Sequence, residues 1–145
     1  MRHLCLSVGL PLGLLVLALG CVAEDSDRLE VYPVTGEVFV KGQPAEGASV
    51  IFYSQSPAPE GKKMPVPAGV TDANGEFQLT SYETEDGAPA GDYRVAIIWN
   101  EPPPPDFSGV FEPKDRLGGR YASPDTSKLT ATVEEGPTEV PPFQL

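Results

Sequence analysis

The chain has 145 residues, enough for one domain with a modest core and too few for two. Its 10 Lys and Arg against 21 Asp and Glu give a formal net charge of −11. That balance excludes nucleic-acid binding through phosphates, which needs clustered basic side chains. Gly and Pro make up about 22% of the chain, too many breaks for a helical bundle, while 40% hydrophobic content is too apolar for a disordered one. One His and two Cys argue against His-rich metal proteins and disulfide scaffolds.

The first element in chain order is a leader. Met1, Arg2 and His3 open an uncharged apolar run over 4–20, broken by Pro11 and ending at Gly20. A basic start, a short apolar stretch and a small residue at the end are the layout of a secretory signal peptide over 1–20. Pro11 and three glycines make the same run a poor permanent membrane span. Leu17, Ala18, Leu19, Gly20 and Cys21 resemble the lipobox of bacterial lipoproteins, with Ala18 where Leu is commoner. The resemblance implies cleavage before Cys21 and a diacylglycerol on its thiol. Two or more acyl chains would hold the protein on a bilayer, where one would not.

Cleavage changes the inventory. Removing 1–20 takes Arg2, His3 and Cys5, so the side-chain charge becomes −12 with no His and one Cys. No intramolecular disulfide is then available, whatever the compartment. Residues 21–30, the lipidated N-terminus and an acidic tether, are expected to stay solvated and hold the domain off the bilayer.

From residue 31 to 145 the periodicity is two. Val34, Val38 and Val40 share one face, as do Ala48, Val50 and Phe52, and then Phe77 and Leu79. Tyr93, Val95, Ile97 and Trp99 repeat the pattern, Leu129, Ala131 and Val133 follow, and Phe143 and Leu145 suit a closing strand. Asp72, Ala73, Asn74 and Gly75 form a structural turn, and Asn-Gly between alternating segments is a strong hairpin signal because both residues tolerate positive φ. About seven short strands and no convincing helix predict an all-β fold. One-face alternation needs a second apolar layer, so the architecture is a β-sandwich. Three loops interrupt it, over 54–67, 81–91 and 100–123. The last carries four prolines at 102–105, read as a rigid extended loop.

Several motifs resemble the carboxypeptidase regulatory-like domain, a member of the transthyretin-like (prealbumin-like, Ig-like) seven-stranded sandwiches. They are Gly36 after Val34 and Thr35, Gly42 and Pro44 at the first turn, Gly47 and Ala48 opening the second strand, then Thr71, Asp72, Asn74, Gly75 and Phe77. Gly91, Asp92, Tyr93, Arg94 and Val95 complete the match over about 34–99, and the tail with Arg120, Tyr121, Ser127, Lys128, Leu129 and Val133 looks like small bacterial lipoproteins built from this one domain. In that family the glycines and the Asp-x-Asn-Gly turn shape the backbone. The domain usually serves as a noncatalytic accessory or surface module.

The residues themselves offer little chemistry. Zinc sites and Ser/His or Cys/His nucleophiles need groups that the processed chain lacks. Carboxylates remain, with Glu83, Glu85 and Asp86 together and Glu134 beside Glu135, but acids on loops of so small a domain suggest no cleft for acid–base work. Asp72 and Glu83 have EF-hand separation, yet the glycine is misplaced. An intervening strand at ~3.3 Å per residue would also hold the two roughly 20 Å apart. Asp72 reads instead as an Asx-turn residue, and a weak cation site at Glu83, Glu85 and Asp86 stays open. Tyr53, Tyr82, Phe107, Phe111 and Tyr121 lie in or beside loops and would mark a sugar-binding face only if they formed one strip. The expectation is an exported lipoprotein held in an envelope membrane by acylated Cys21, with no enzymatic activity, no catalytic residue, no metal and no cofactor. Its partner would be an envelope protein or a polysaccharide. The alternative is a surface polysaccharide-binding module, with or without help from calcium.

Overall fold

Alternating apolar and polar residues form the longer strands, and the strands stack as two sheets. The computed structural model describes residues 27–145, so the leader, Cys21 and the first part of the expected tether lie outside the described residues. The elements in order are β1 (Val34–Val40), β2 (Gln43–Pro44), β3 (Ser49–Ser54), β4 (Ala68–Val70), β5 (Glu76–Gln78), β6 (Gly91–Ile98), α1 (Pro124–Ser127), β7 (Leu129–Val133), β8 (Thr138–Glu139) and β9 (Phe143–Gln144).

One sheet is antiparallel in the order β4-β3-β6-β7. The other is built around β1, which pairs antiparallel with β5 and β2 along one edge and parallel with β8 and β9 along the other. Pro141 and Pro142 explain why the closing strand is two pieces, since neither has an N–H to donate to the ladder. Among the described residues, nine strand segments therefore stand where the periodicity suggested about seven. β2, β8 and β9 are two residues each, too short to show a period. The chain also holds one helical turn that the pattern did not reveal. Ser123 caps it by accepting from the Asp125 N–H at 3.3 Å, and Pro124 occupies its first turn.

The core lies between the sheets. Val34, Val38, Phe77, Leu79, Val140 and Phe143 meet Val50, Phe52, Tyr93, Val95, Ile97, Ala131 and Val133, all buried. An aromatic chain crosses the layers: Phe143 stacks on Phe77 at 6.3 Å, Phe77 meets Phe52 edge-on at 6.4 Å, and Phe52 meets Tyr93 at 5.5 Å. Gly36 makes this possible. A Cβ there would lie 2.5 Å from Val140 Cγ2 and 2.6 Å from the Phe77 ring. The Tyr93 hydroxyl donates to the Pro89 carbonyl at 2.7 Å, tying the start of β6 to the preceding loop as in the tyrosine corner of other sandwiches. Burial, aided by nearby Tyr82, pushes the Tyr93 phenol up to about 12.

The Asn74-Gly75 turn differs from the expected hairpin. β4 pairs with β3 and β5 pairs with β1, so the turn carries the chain from one sheet to the other. Its two arms are still joined by the Ala68–Thr80 bridge and by the Asp72 N–H, which donates to the Glu76 carbonyl at 2.8 Å. Buried Thr71 secures the crossing, its hydroxyl accepting from the Ala48 N–H at 2.8 Å and donating to the Ala45 carbonyl.

Candidate functional site

Three aspartates shape the connections, and two of them stood out in the sequence. At the sheet-crossing turn, Asp72 Oδ1 accepts from the backbone N–H of Asn74 at 2.8 Å and of Glu76 at 3.0 Å, while Gly75 adopts φ of 79°. In the acidic loop, Asp86 accepts from the N–H groups of Ser81, Tyr82 and Glu83 at 2.7–3.0 Å. Partial burial opposes ionisation of Asp86, but the donors of Ser81, Glu83 and Tyr82 outweigh it and hold the carboxyl below the usual carboxylate range. Asp86, read in the sequence only as one of three clustered acids, is thus the post around which that loop winds. Cys21 lies outside the described residues.

The third aspartate, Asp115, was not anticipated, and it builds the surface around Trp99. Its Oδ1 accepts from the N–H groups of Trp99 and Leu117, both at 3.0 Å, and its Oδ2 from Gly119 at 2.7 Å. This folds the end of the 100–123 loop back onto the end of β6. The return is a short ladder in which the Glu101 backbone N–H donates to the Lys114 carbonyl at 2.9 Å and the Arg116 backbone N–H to the Trp99 carbonyl at 2.7 Å. The Arg116 guanidinium then lies over the Trp99 indole, 3.6 Å from the ring centroid. The indole N–H donates to the Glu46 carbonyl at 2.7 Å, which fixes the ring.

Two clefts flank this stack. One, of about 570 Å³, is lined by Val40, Lys41, Gln43, Leu117, Arg120, Tyr121 and Leu145 besides Trp99 and Arg116. It has no acidic side chain in its lining. The other, of about 830 Å³, shares Gln43, Trp99 and Arg116 and adds Glu46, Asn100, Glu101 and Pro102. Among the described residues, Lys41, Arg116 and Arg120 make no ion pair, whereas Arg28, Lys63 and Arg94 are bridged to Glu83, Asp27 and Asp125.

The opposite charge collects elsewhere. A groove of about 440 Å³ over β1 and β5 is lined by Glu37, Asp72, Glu76, Glu85 and Glu139. Glu37 and Glu76 are direct cross-strand neighbours. Among the described residues no His, Cys, Asp and Glu gather into a set of three or more with metal-ligand geometry. The loop aromatics do not form one strip. Tyr82 lies beneath Arg28 at 5.0 Å, Phe107 meets Phe111 at 5.7 Å in the long loop, Tyr53 borders a shallow cleft with Arg94 and Asp125, and Tyr121 joins the Trp99 cleft.

The two ends of the sandwich differ. Residues 27–32 are fastened at one end: Lys63 N–H donates to the Asp27 carbonyl, Leu29 N–H to the Tyr82 hydroxyl, and Tyr32 bridges Ala88. The segment expected to be a solvated tether up to residue 30 is therefore pinned from Asp27, by partners 34 to 53 residues away in sequence. The Trp99 clefts lie at the other end, where β1 finishes at Val40 and the Lys41 N–H donates to the Leu145 carbonyl.

No family model matches the chain. No curated protein matches it either. Among solved structures it is similar to a 9R-lipoxygenase from Cyanothece PCC8801, at 13% identity and a TM-score of 0.42, over 80% of this chain and 16% of that one. The chain thus spans under a fifth of the lipoxygenase, and so distant a likeness says nothing of activity.

Proposed function

We propose that this is an exported lipoprotein, held in a cell-envelope membrane through acylated Cys21. Its carboxypeptidase regulatory-like, transthyretin-like sandwich binds a partner without catalysing a reaction. The observation that carries this reading is the division of labour between the ends. The N-terminal segment is fastened at one end of β1, and the Trp99 clefts open at the other. Seven strand residues at ~3.3 Å each separate them by about 20 Å, so a chain tethered by its N-terminus would hold the clefts away from the bilayer. Asp72, Asp86 and Asp115 each accept two or three backbone N–H groups, which suits scaffold roles better than acid–base ones. The anchor is tested by metabolic labelling with a fatty-acid analogue. Label is expected on the wild-type protein and not on Cys21→Ala, and label retained by the variant would refute the anchor.

A second reading, a polysaccharide-binding module, is favoured by the Trp99 clefts. They combine a fixed indole, half-buried apolar side chains and unpaired cations in one concave surface. Calcium has no evident part in this reading, since the cleft beside Arg116 and Arg120 is already cationic.

A further inference from the structure

We propose that the Trp99 clefts bind an acidic glycan in which carboxylated sugars alternate with neutral ones, a proposal that rests on the polysaccharide reading above. The charge pattern sets the ligand's sign. In a chain of net charge −11, Lys41, Arg116 and Arg120 stand together around one cleft with no acidic side chain in its wall and no ion-pair partner among the described residues. Stacking on Trp99 and the backbone bond to the Trp99 carbonyl restrict Arg116, so little side-chain freedom remains to be lost on binding. A guanidinium held by its face still presents its N–H edge, which matches a carboxylate in a bidentate pair. Val40, Leu117, Tyr121 and Leu145 give the C–H face of a sugar ring an apolar wall.

The adjoining cleft sets the alternation. It shares Gln43, Trp99 and Arg116 with the first, so a polymer can run through both. Its further lining, Glu46, Asn100 and Glu101, offers acceptors and an amide for hydroxyl groups and would repel a second carboxylate. An acidic sugar in the first cleft is thus followed by a neutral one. An acidic peptide fits less well, because the edge strand here, β2, is two residues long and one of them is Pro44, which has no N–H to offer. The Glu101 N–H and the Trp99 carbonyl are already paired with Lys114 and Arg116.

Trp99 is the single tryptophan of the chain, so its fluorescence reports on the site directly. Full-length protein in detergent at near-physiological ionic strength is titrated with a hyaluronan oligosaccharide, in which glucuronate alternates with a neutral sugar. A neutral dextran oligosaccharide and a polyglutamate peptide are titrated in parallel. The expected result is a saturable change in Trp99 emission with hyaluronan only, weakening as salt rises. Arg116→Gln should weaken it by about tenfold or more. Arg120→Gln and Lys41→Gln should weaken it by smaller factors, and Arg94→Gln in the separate cleft beside Tyr53 should leave it unchanged, with thermal melting checked for each variant. No response to hyaluronan, or an equal response to dextran, overturns the proposal. A response to polyglutamate in place of hyaluronan, abolished by Arg116→Gln, overturns the glycan assignment and leaves a noncatalytic binding cleft standing. If none of the three probes moves Trp99, the polysaccharide reading falls with it.

Discussion

At the scale of single residues, Asp72, Asp86 and Asp115 act alike. Each carboxylate gathers N–H groups that its loop would otherwise leave to water, the role an N-cap plays for a helix. Asp72 was legible because Asp-Ala-Asn-Gly is a local signal whose donors lie two and four residues on. Asp86 was visible only as a charge, because its donors lie before it and depend on how the loop doubles back. Asp115 was missed outright, although Gly118 and Gly119, at φ of 65° and 74°, marked the turn it supports. Because the Asp86 carboxyl titrates below its ordinary value of 3.8 when folded, its stabilisation is present above that value and is lost as pH falls through the folded pKa. Asp86→Asn is expected to cost about 1–2 kcal/mol at neutral pH and to flatten the fall in stability on acidification. Urea unfolding at a series of pH values measures both effects.

At the scale of elements, the apolar alternation identified the long strands and said little about how they pair. β1, β6 and β7 each carry three same-face apolar residues, and β3 carries two with Ala48 just before it, enough to show a period of two. The turn at Asn74 and Gly75 misled because turn chemistry fixes a reversal of the chain and not the sheet that each arm joins. The same pairing sets like charges against each other. Glu37 and Glu76 face each other across β1 and β5, with Asp72, Glu85 and Glu139 around them. Like charges in direct opposition weaken a strand pair. Glu76→Lys is expected to raise stability by about 0.2–1 kcal/mol at low salt, with the gain shrinking as salt rises. Thermal melts at two ionic strengths check this, and a lower melting temperature for the variant would contradict it.

At the scale of the whole molecule, charge and chain direction are organised along β1. The acidic groove lies on the outer face of one sheet, Lys41, Arg116 and Arg120 gather at the far end, and the N-terminal segment enters at the near end. Composition gave only the sum of these charges. The cleft was illegible in the sequence because Lys41, Trp99, Arg116 and Arg120 come from three separate segments, and Trp99 reads there as one more inward residue of β6. Cys21 is six residues before Asp27, a span of at most ~20 Å even when fully extended. An anchor at Cys21 therefore keeps the fastened end near the bilayer and turns the Trp99 end outward. The direct measurement is Trp99 fluorescence of the acylated protein on vesicles made with brominated phospholipids. The expected result is protein that floats with the vesicles while its emission stays unquenched by the lipid and open to an aqueous quencher. Strong quenching by the brominated chains would put the clefts in the membrane and contradict an outward-facing binding site.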